Sequence, residues 1–292
     1  MRKILFSIAA LLLAAGCNSK VSFTIDNPTD ATLTLQIDQT AHEIGAQQSK
    51  DIALEAGEHS MDAPATGKIK FIVYAERKGG LINPTLSDFV IVGEAYVTDE
   101  SKLKNFRPGG GGPFQLDGVT FDGPFQLANG LFIDKDWRFV VREPFPNSLS
   151  GYDPGSGGNI FRKIFTASDF VRYFEKQSEQ AGYFEKHRQH SVPVPRKLSG
   201  PAALPDFADP QMQDASAKLR GHYQRYLKAA DPAEQKQLQG EYFKLSTDFT
   251  ALAASRSASQ PVAENVKYND FVRLTGNAMG ISAQVTGAQG AP

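Results

Sequence analysis

Apolar and polar residues alternate along the first half of the chain and change to a helical period in the second. Val21-Ser22-Phe23-Thr24-Ile25 alternates, and Asn27-Pro28-Thr29-Asp30 supplies a turn. Leu33, Leu35 and Ile37 alternate with Thr32, Thr34 and Gln36, the pattern of a half-buried strand. Shorter strands are expected near Ile52–Leu54 and His59–Met61, and stronger ones at Lys68–Tyr74 and Phe89–Val92. Strands at this spacing predict a small antiparallel sandwich. Gly112-Pro113-Phe114-Gln115-Leu116 recurs as Gly123-Pro124-Phe125-Gln126-Leu127, two similar strand-and-turn units. Two copies are too few for a solenoid. Leu131-Phe132-Ile133 and Arg138-Phe139-Val140-Val141 flank Asp134-Lys135-Asp136-Trp137 and predict a hairpin. The Gly-, Ser- and Pro-rich stretch 147–159 closes this part as a loop.

From Thr166 the period lengthens. Thr166 and Asp169 form a helix-capping signal ahead of a face made by Phe170, Tyr173, Phe174, Ala181 and Phe184. Residues 191–208, with Pro193 and Pro195, read as an irregular linker. Asp209-Pro210 starts a second helix, with Asp as cap and Pro at its first position. Asp231-Pro232-Ala233-Glu234 ends it and caps a third. Met212, Ala215, Leu219, His222 and Tyr226 follow one another at steps of three and four, as do Leu238, Tyr242, Leu245, Phe249 and Leu252. The tight junction predicts antiparallel packing. The expected partners are Tyr226 with Leu238, His222 with Tyr242, Leu219 with Leu245, Ala215 with Phe249, and Met212 with Leu252.

The reading is therefore an α+β chain. A β-rich part spans 17–159, divided into a sandwich at 17–104 and additional strands and loops at 105–159. A helical part spans 160–275, and a small, polar, flexible tail spans 276–292.

The amino terminus carries a separate signal. Met1-Arg2-Lys3 precedes an apolar run from Ile4 to Ala15, broken only by Ser7 and followed by Gly16-Cys17. This describes a secretory signal, too short to cross a bilayer as a helix. Leu13-Ala14-Ala15-Gly16-Cys17 resembles the lipobox of bacterial lipoproteins, with Ala14 where Leu is usual. The resemblance implies cleavage after residue 16, diacylglycerol on the Cys17 thiol and acylation of the new amino terminus. Two or more acyl chains give stable anchoring. Asn18, in place of the Asp that favours inner-membrane retention, resembles an outer-membrane address. Cys17 is the one cysteine in the chain, so no disulfide supports the fold.

Charge sharpens the two-part picture. Residues 17–159 carry 12 basic and 19 acidic side chains, and residues 160–260 carry 15 and 11. The asymmetry fits two parts that attract each other or plain solvated faces, with a basic part that approaches an anionic envelope surface or acidic partner as the alternative, and no dense basic cluster points to nucleic acid. The glycine run 109–112 has no Gly-Lys-Ser/Thr to bind phosphate. His187 and His190 share a helix end without a third ligand, and Asp134 and Asp136 lack the rest of a calcium loop. Ser101 and Lys104 match Ser-x-x-Lys with no accompanying Lys-Thr-Gly. His42, His59 and His222 are isolated in sequence, His222 as a seam residue of the hairpin. No metal or cofactor is expected. The expected role is a non-enzymatic lipoprotein held to the membrane through Cys17, binding an envelope protein or polymer. The alternative is an enzyme acting on peptidoglycan, lipid or polysaccharide.

Overall fold

The alternating segments near the amino terminus become two sheets packed face to face. The computed structural model describes residues 20–109, 111–149, 157–189, 196, 198, 200–256 and 260–288. Its first strands are β1 (Val21–Asn27), β2 (Leu33–Ile37), β3 (Thr40–Ile44), β4 (Gln48–Leu54), β5 (Gly57–Ala63), β6 (Gly67–Val73), β7 (Gly80–Ile82) and β8 (Phe89–Val97). A short 3-10 helix (Glu100–Asn105) precedes β9 (Phe114–Leu116), β10 (Val119–Phe121), β11 (Phe125–Ala128), β12 (Phe132–Asp134) and β13 (Gly158–Thr166). Five helices follow: α1 (Ala167–Gln177), α2 (Tyr183–His187), α3 (Pro210–Tyr226), α4 (Pro232–Arg256) and α5 (Val262–Gly280). The last described element is β14 (Ala283–Ala288).

One sandwich sheet has the order β12-β7-β1-β4 and the other β14-β6-β5-β2-β3. Val21, Phe23 and Ile25 from the first sheet meet Leu35, Ile37, Met61 and Phe71 from the second in a shared apolar core. The pairing is antiparallel except for β1 and β7, which run parallel. Gly79 and Gly80 let β7 enter between its neighbours. A Cβ on Gly79 would stand 1.7 Å from the Ser22 carbonyl oxygen, and one on Gly80 would stand 2.0 Å from that of Ile133.

Both parallel strands end in the same turn, Asn27-Pro28-Thr29 and Asn83-Pro84-Thr85. Both asparagines are fully buried. In each, the threonine hydroxyl donates to the asparagine side-chain oxygen. In each, the amide nitrogen donates to a carbonyl four residues on, Ala31 or Ser87. This satisfies buried polar groups that the proline leaves without a ladder partner.

A third sheet, β11-β8-β13, lies beside the sandwich. Phe89 and Ile91 of β8 face Leu81, Ile133 and Trp137, whereas Val90 and Val92 face Phe121, Phe165 and Phe170. The repeated Phe-Gln-Leu units part company here. Phe114–Leu116 pairs with β10 through a tight Asp117-Gly118 turn, while the second copy pairs with β8. Phe114 and Phe125 nonetheless both reach the Phe170 ring, at 5.7 and 5.0 Å. Thr166 caps α1 as the sequence predicts, accepting from the Asp169 amide.

Helices α3 and α4 pack against each other, and the expected seam residues face a common core. Asp209 caps α3 by accepting from the Gln211 and Met212 amides. Tyr226 and Leu238 share one apolar cluster, and Met212, Ala215, Leu219, Leu245, Phe249 and Leu252 share another. His222 is buried, lies 6.1 Å from the Tyr242 ring and contacts the Leu238 carbonyl at 2.7 Å.

Four expectations are corrected. Residues 276–288 are not a flexible tail: they complete α5 and form β14, which pairs with β6. The boundary at 159/160 falls inside β13. The hairpin expected across residues 131–141 does not form, because β12 pairs with β7 and Phe139 makes only a bridge to Lys163. The sandwich also draws on β12 and β14 and is not confined to 17–104.

α5 completes the helical core, with Phe271 against Phe249 and Phe207 at 5.0 and 5.4 Å. Phe249 is 3% exposed. Phe249→Ala is expected to cost about 3–5 kcal/mol of folding stability. Denaturant unfolding checks this, and a loss below about 1 kcal/mol contradicts the packing.

Candidate functional site

Cys17, Asn18 and His190 lie outside the described residues. The other side chains singled out in the sequence do not converge. His59 contacts Asp38 and the Glu55 carbonyl, both at 2.8 Å, and stacks on Phe71. Both its ring nitrogens are thereby occupied. Burial raises the Asp38 carboxyl, but hydrogen bonds from His59 and Ser60 together hold it below its ordinary value. His187 contacts its own helix at the Tyr183 carbonyl, and His42 stands alone on β3. Asp134 accepts from the Ser282 amide, while Asp136 pairs with Arg162. Ser101 and Lys104 are exposed on the 3-10 helix. Among the described residues no group of three His, Cys, Asp or Glu is placed to hold a metal.

A polar cluster lies where the sandwich meets the third sheet, and its charged members other than Asp169 did not stand out in the sequence. Asp26 projects from the outer face of β1 and is fully buried. It accepts from Ser49 at 2.5 Å and pairs with Arg142 at 3.2 Å. Arg142 also reaches Gln47, the Asn27 carbonyl and Asp169. Burial raises the Asp26 carboxyl above its ordinary value, and Ser49 and Arg142 oppose that rise.

Lys163, on β13, is 3% exposed. Its ammonium donates to the Val140, Val141 and Ile164 carbonyls at 2.8, 2.8 and 3.1 Å. It also sits 4.3 Å from the centre of the Phe165 ring. All three donors are engaged, so Lys163 acts as a clamp that pins residues 139–141 to the third sheet. Burial lowers its pKa to about 8, with Asp169 and Glu143 opposing that fall. The sequence signal is slight: Lys163 alternates in register with Phe161 and Phe165 along one strand face.

Two open concavities of about 410 and 900 Å³ meet at this cluster and share Gln47, Val141 and Arg142. Their polar groups are bound mainly to one another. The arrangement can hold a polar ligand along its rim, where the Ser49 hydroxyl is bound to the buried Asp26 carboxylate.

Arg142→Met leaves the Asp26 carboxylate buried without its cation and is expected to cost on the order of 3–5 kcal/mol by denaturant unfolding. Lys163 gives a pH signature. Its folded value is about 8 against an ordinary 10.5. Between these values the unfolded chain binds more protons, so the Lys163 contribution makes stability rise with pH. Lys163→Met is expected to lack this rise, and parallel slopes for the two proteins across the window contradict it. Comparison with known proteins finds no matching family model, no similar curated protein and no similar solved structure.

Proposed function

We propose that this chain is an envelope lipoprotein with a non-enzymatic binding or structural role. It is exported with residues 1–16 as a cleaved signal, lipidated at Cys17 and held at the outer membrane. Its partner is another envelope protein or an envelope polymer. The observation that carries the reading is the basic start, apolar run and Gly16-Cys17 at the amino terminus. Among the described residues no helix is long and apolar enough to cross a membrane, so a lipid would be the means of attachment that the sequence supplies.

The geometry beside the anchor fits this role. β1 begins at Val21, four residues after Cys17. A fully extended connection of that length spans about 14 Å. The sandwich would therefore ride close to the bilayer. Strand directions place four features at that end: the turn after Leu54, the loop before Gly80, the end of β12 and the start of β14. The α3–α4 junction joins them, since the Ala230 carbonyl lies beside Gly57. At the Arg142 cluster, donors spent on protein acceptors favour a scaffold over an active site.

Palmitate labelling and detergent phase partition test the proposal. The full chain is expected to take label and enter the detergent phase. Cys17→Ala is expected to lose the label and persist as a precursor about 16 residues longer than the mature form. A wild-type chain that stays unlabelled in the aqueous phase overturns it.

A further inference from the structure

A cavity of about 550 Å³ opens at the free edge of the sandwich, between β12 of one sheet and β14 of the other. Among the described residues neither strand has a further partner on that side, and core residues line the opening there. The floor is apolar and buried: Leu131, Ala283 and Val285 belong to the sandwich core, while Leu227 and Ala278 come from the helices. Polar and exposed groups stand at the rim, notably Asn277 on α5 and Gly130 beside β12. Two other polar neighbours are already engaged. Arg196 donates to the Leu86 carbonyl and to Asp88, and Asn129 donates to Asp88. Asp134, Gln284 and the Tyr223 hydroxyl also line the cavity, each with a hydrogen-bond partner inside the protein.

One aliphatic group already enters from outside the sheets. Leu198 packs against the sandwich core at this opening. On either side of it, Arg196 donates to the Leu86 carbonyl and the Tyr223 hydroxyl donates to the Ala202 carbonyl. The site thus accepts a branched hydrocarbon side chain in the position that a longer chain would occupy.

We propose that this cavity takes up the acyl chain of a membrane lipid that is not covalently attached to the protein. The volume lies within the range of small-molecule sites, and an apolar floor under a polar rim matches a hydrocarbon tail with a polar head. Each methylene moved from water onto such a floor contributes about fourfold in affinity. The end of β12 and the start of β14 lie at the end of the fold where β1 begins, and the cavity runs from there along β12 towards Leu131. The inference rests on the cavity and goes beyond the anchoring proposal.

The test feeds cells that produce the full chain a palmitic acid bearing a diazirine and an alkyne. After irradiation, the crosslinked peptides are located by mass spectrometry. Crosslinks are expected on the segments holding Leu131, Leu198 and Ala283–Val285, each carrying the mass of a fatty acid or a whole phospholipid. In Cys17→Ala these crosslinks are expected to persist, whatever becomes of the anchor. Asn277→Trp places a bulky ring on the exposed rim of the mouth and is expected to lower their yield at least tenfold. Leu198→Ala removes the resident side chain and is expected to keep or raise it. Three results overturn the proposal: crosslinks confined to exposed helical residues such as Phe243 and Val262, yields unchanged in Asn277→Trp, or a cavity crosslink joined to the peptide that begins at Cys17. The last would mean that the protein's own acyl chain fills the site.

Discussion

The end of β6 is buried on both faces, and that single demand ties the halves of the molecule together. Ile69, Phe71 and Val73 point into the sandwich, while Ile72 and Tyr74 point into the helices. A strand covered on both faces must have every backbone group satisfied without water. Where β6 leaves the sheet, Gln235 of α4 does this with one fully buried side chain. Its oxygen accepts from the Ala75 amide, and its nitrogen donates to the Val73 and Ala229 carbonyls. The Tyr74 ring stacks on Tyr226 at 4.5 Å, so the first turn of α4, the last turn of α3 and the end of β6 share one joint. The charge difference between the halves contributes little here, since the Lys236–Glu76 pair is exposed on both sides and screened by water.

The third sheet repeats the device with different chemistry. β8 is apolar on both faces, and its far face is sealed by aromatic rings instead of helical aliphatics. Phe121 meets Phe170 and Phe174 edge to face at 5.1 and 4.9 Å, an arrangement that sets positive ring edges against negative faces. The segment 139–141 has no strand pairing of its own beyond one bridge. Lys163 substitutes for the missing ladder by donating to the Val140 and Val141 carbonyls, and it turns its remaining donor to the Ile164 carbonyl of its own strand.

Local pattern made parts of this architecture readable. The alternation of Leu33, Leu35 and Ile37 identifies β2, and the three-and-four steps around Asp231 give the helical register, because each signal lies within one element or across one tight turn. The pairing of β14 with β6 bridges some 210 residues, and Ala283-Gln284-Val285 carries too little apolar surface to announce a strand. α5 is blurred for the opposite reason: Val262 and Val266 are apolar yet exposed, so its buried stripe does not stand out. The matching Asn-Pro-Thr turns are legible as words but not as a pair, since only the parallel alignment of β1 and β7 gives the repetition meaning. The charged cluster was the least legible of all. Asp26, Arg142 and Lys163 come from three distant segments, and the strand that would have placed Lys163 begins at the boundary assigned to the helical part.

The position of β14 has a consequence for how the molecule comes into being. Its partner strand is made early and its own residues late, with helices α1 to α5 between them. A chain emerging from its amino end therefore carries β6 with one edge unpaired until residue 283 has appeared. Contacts so far apart in sequence form slowly, because a long loop must close before they return any free energy. The sheet that starts with β2 waits for its edge strand until after the helices, and during that interval its open edge is the stretch most exposed to pairing with another chain.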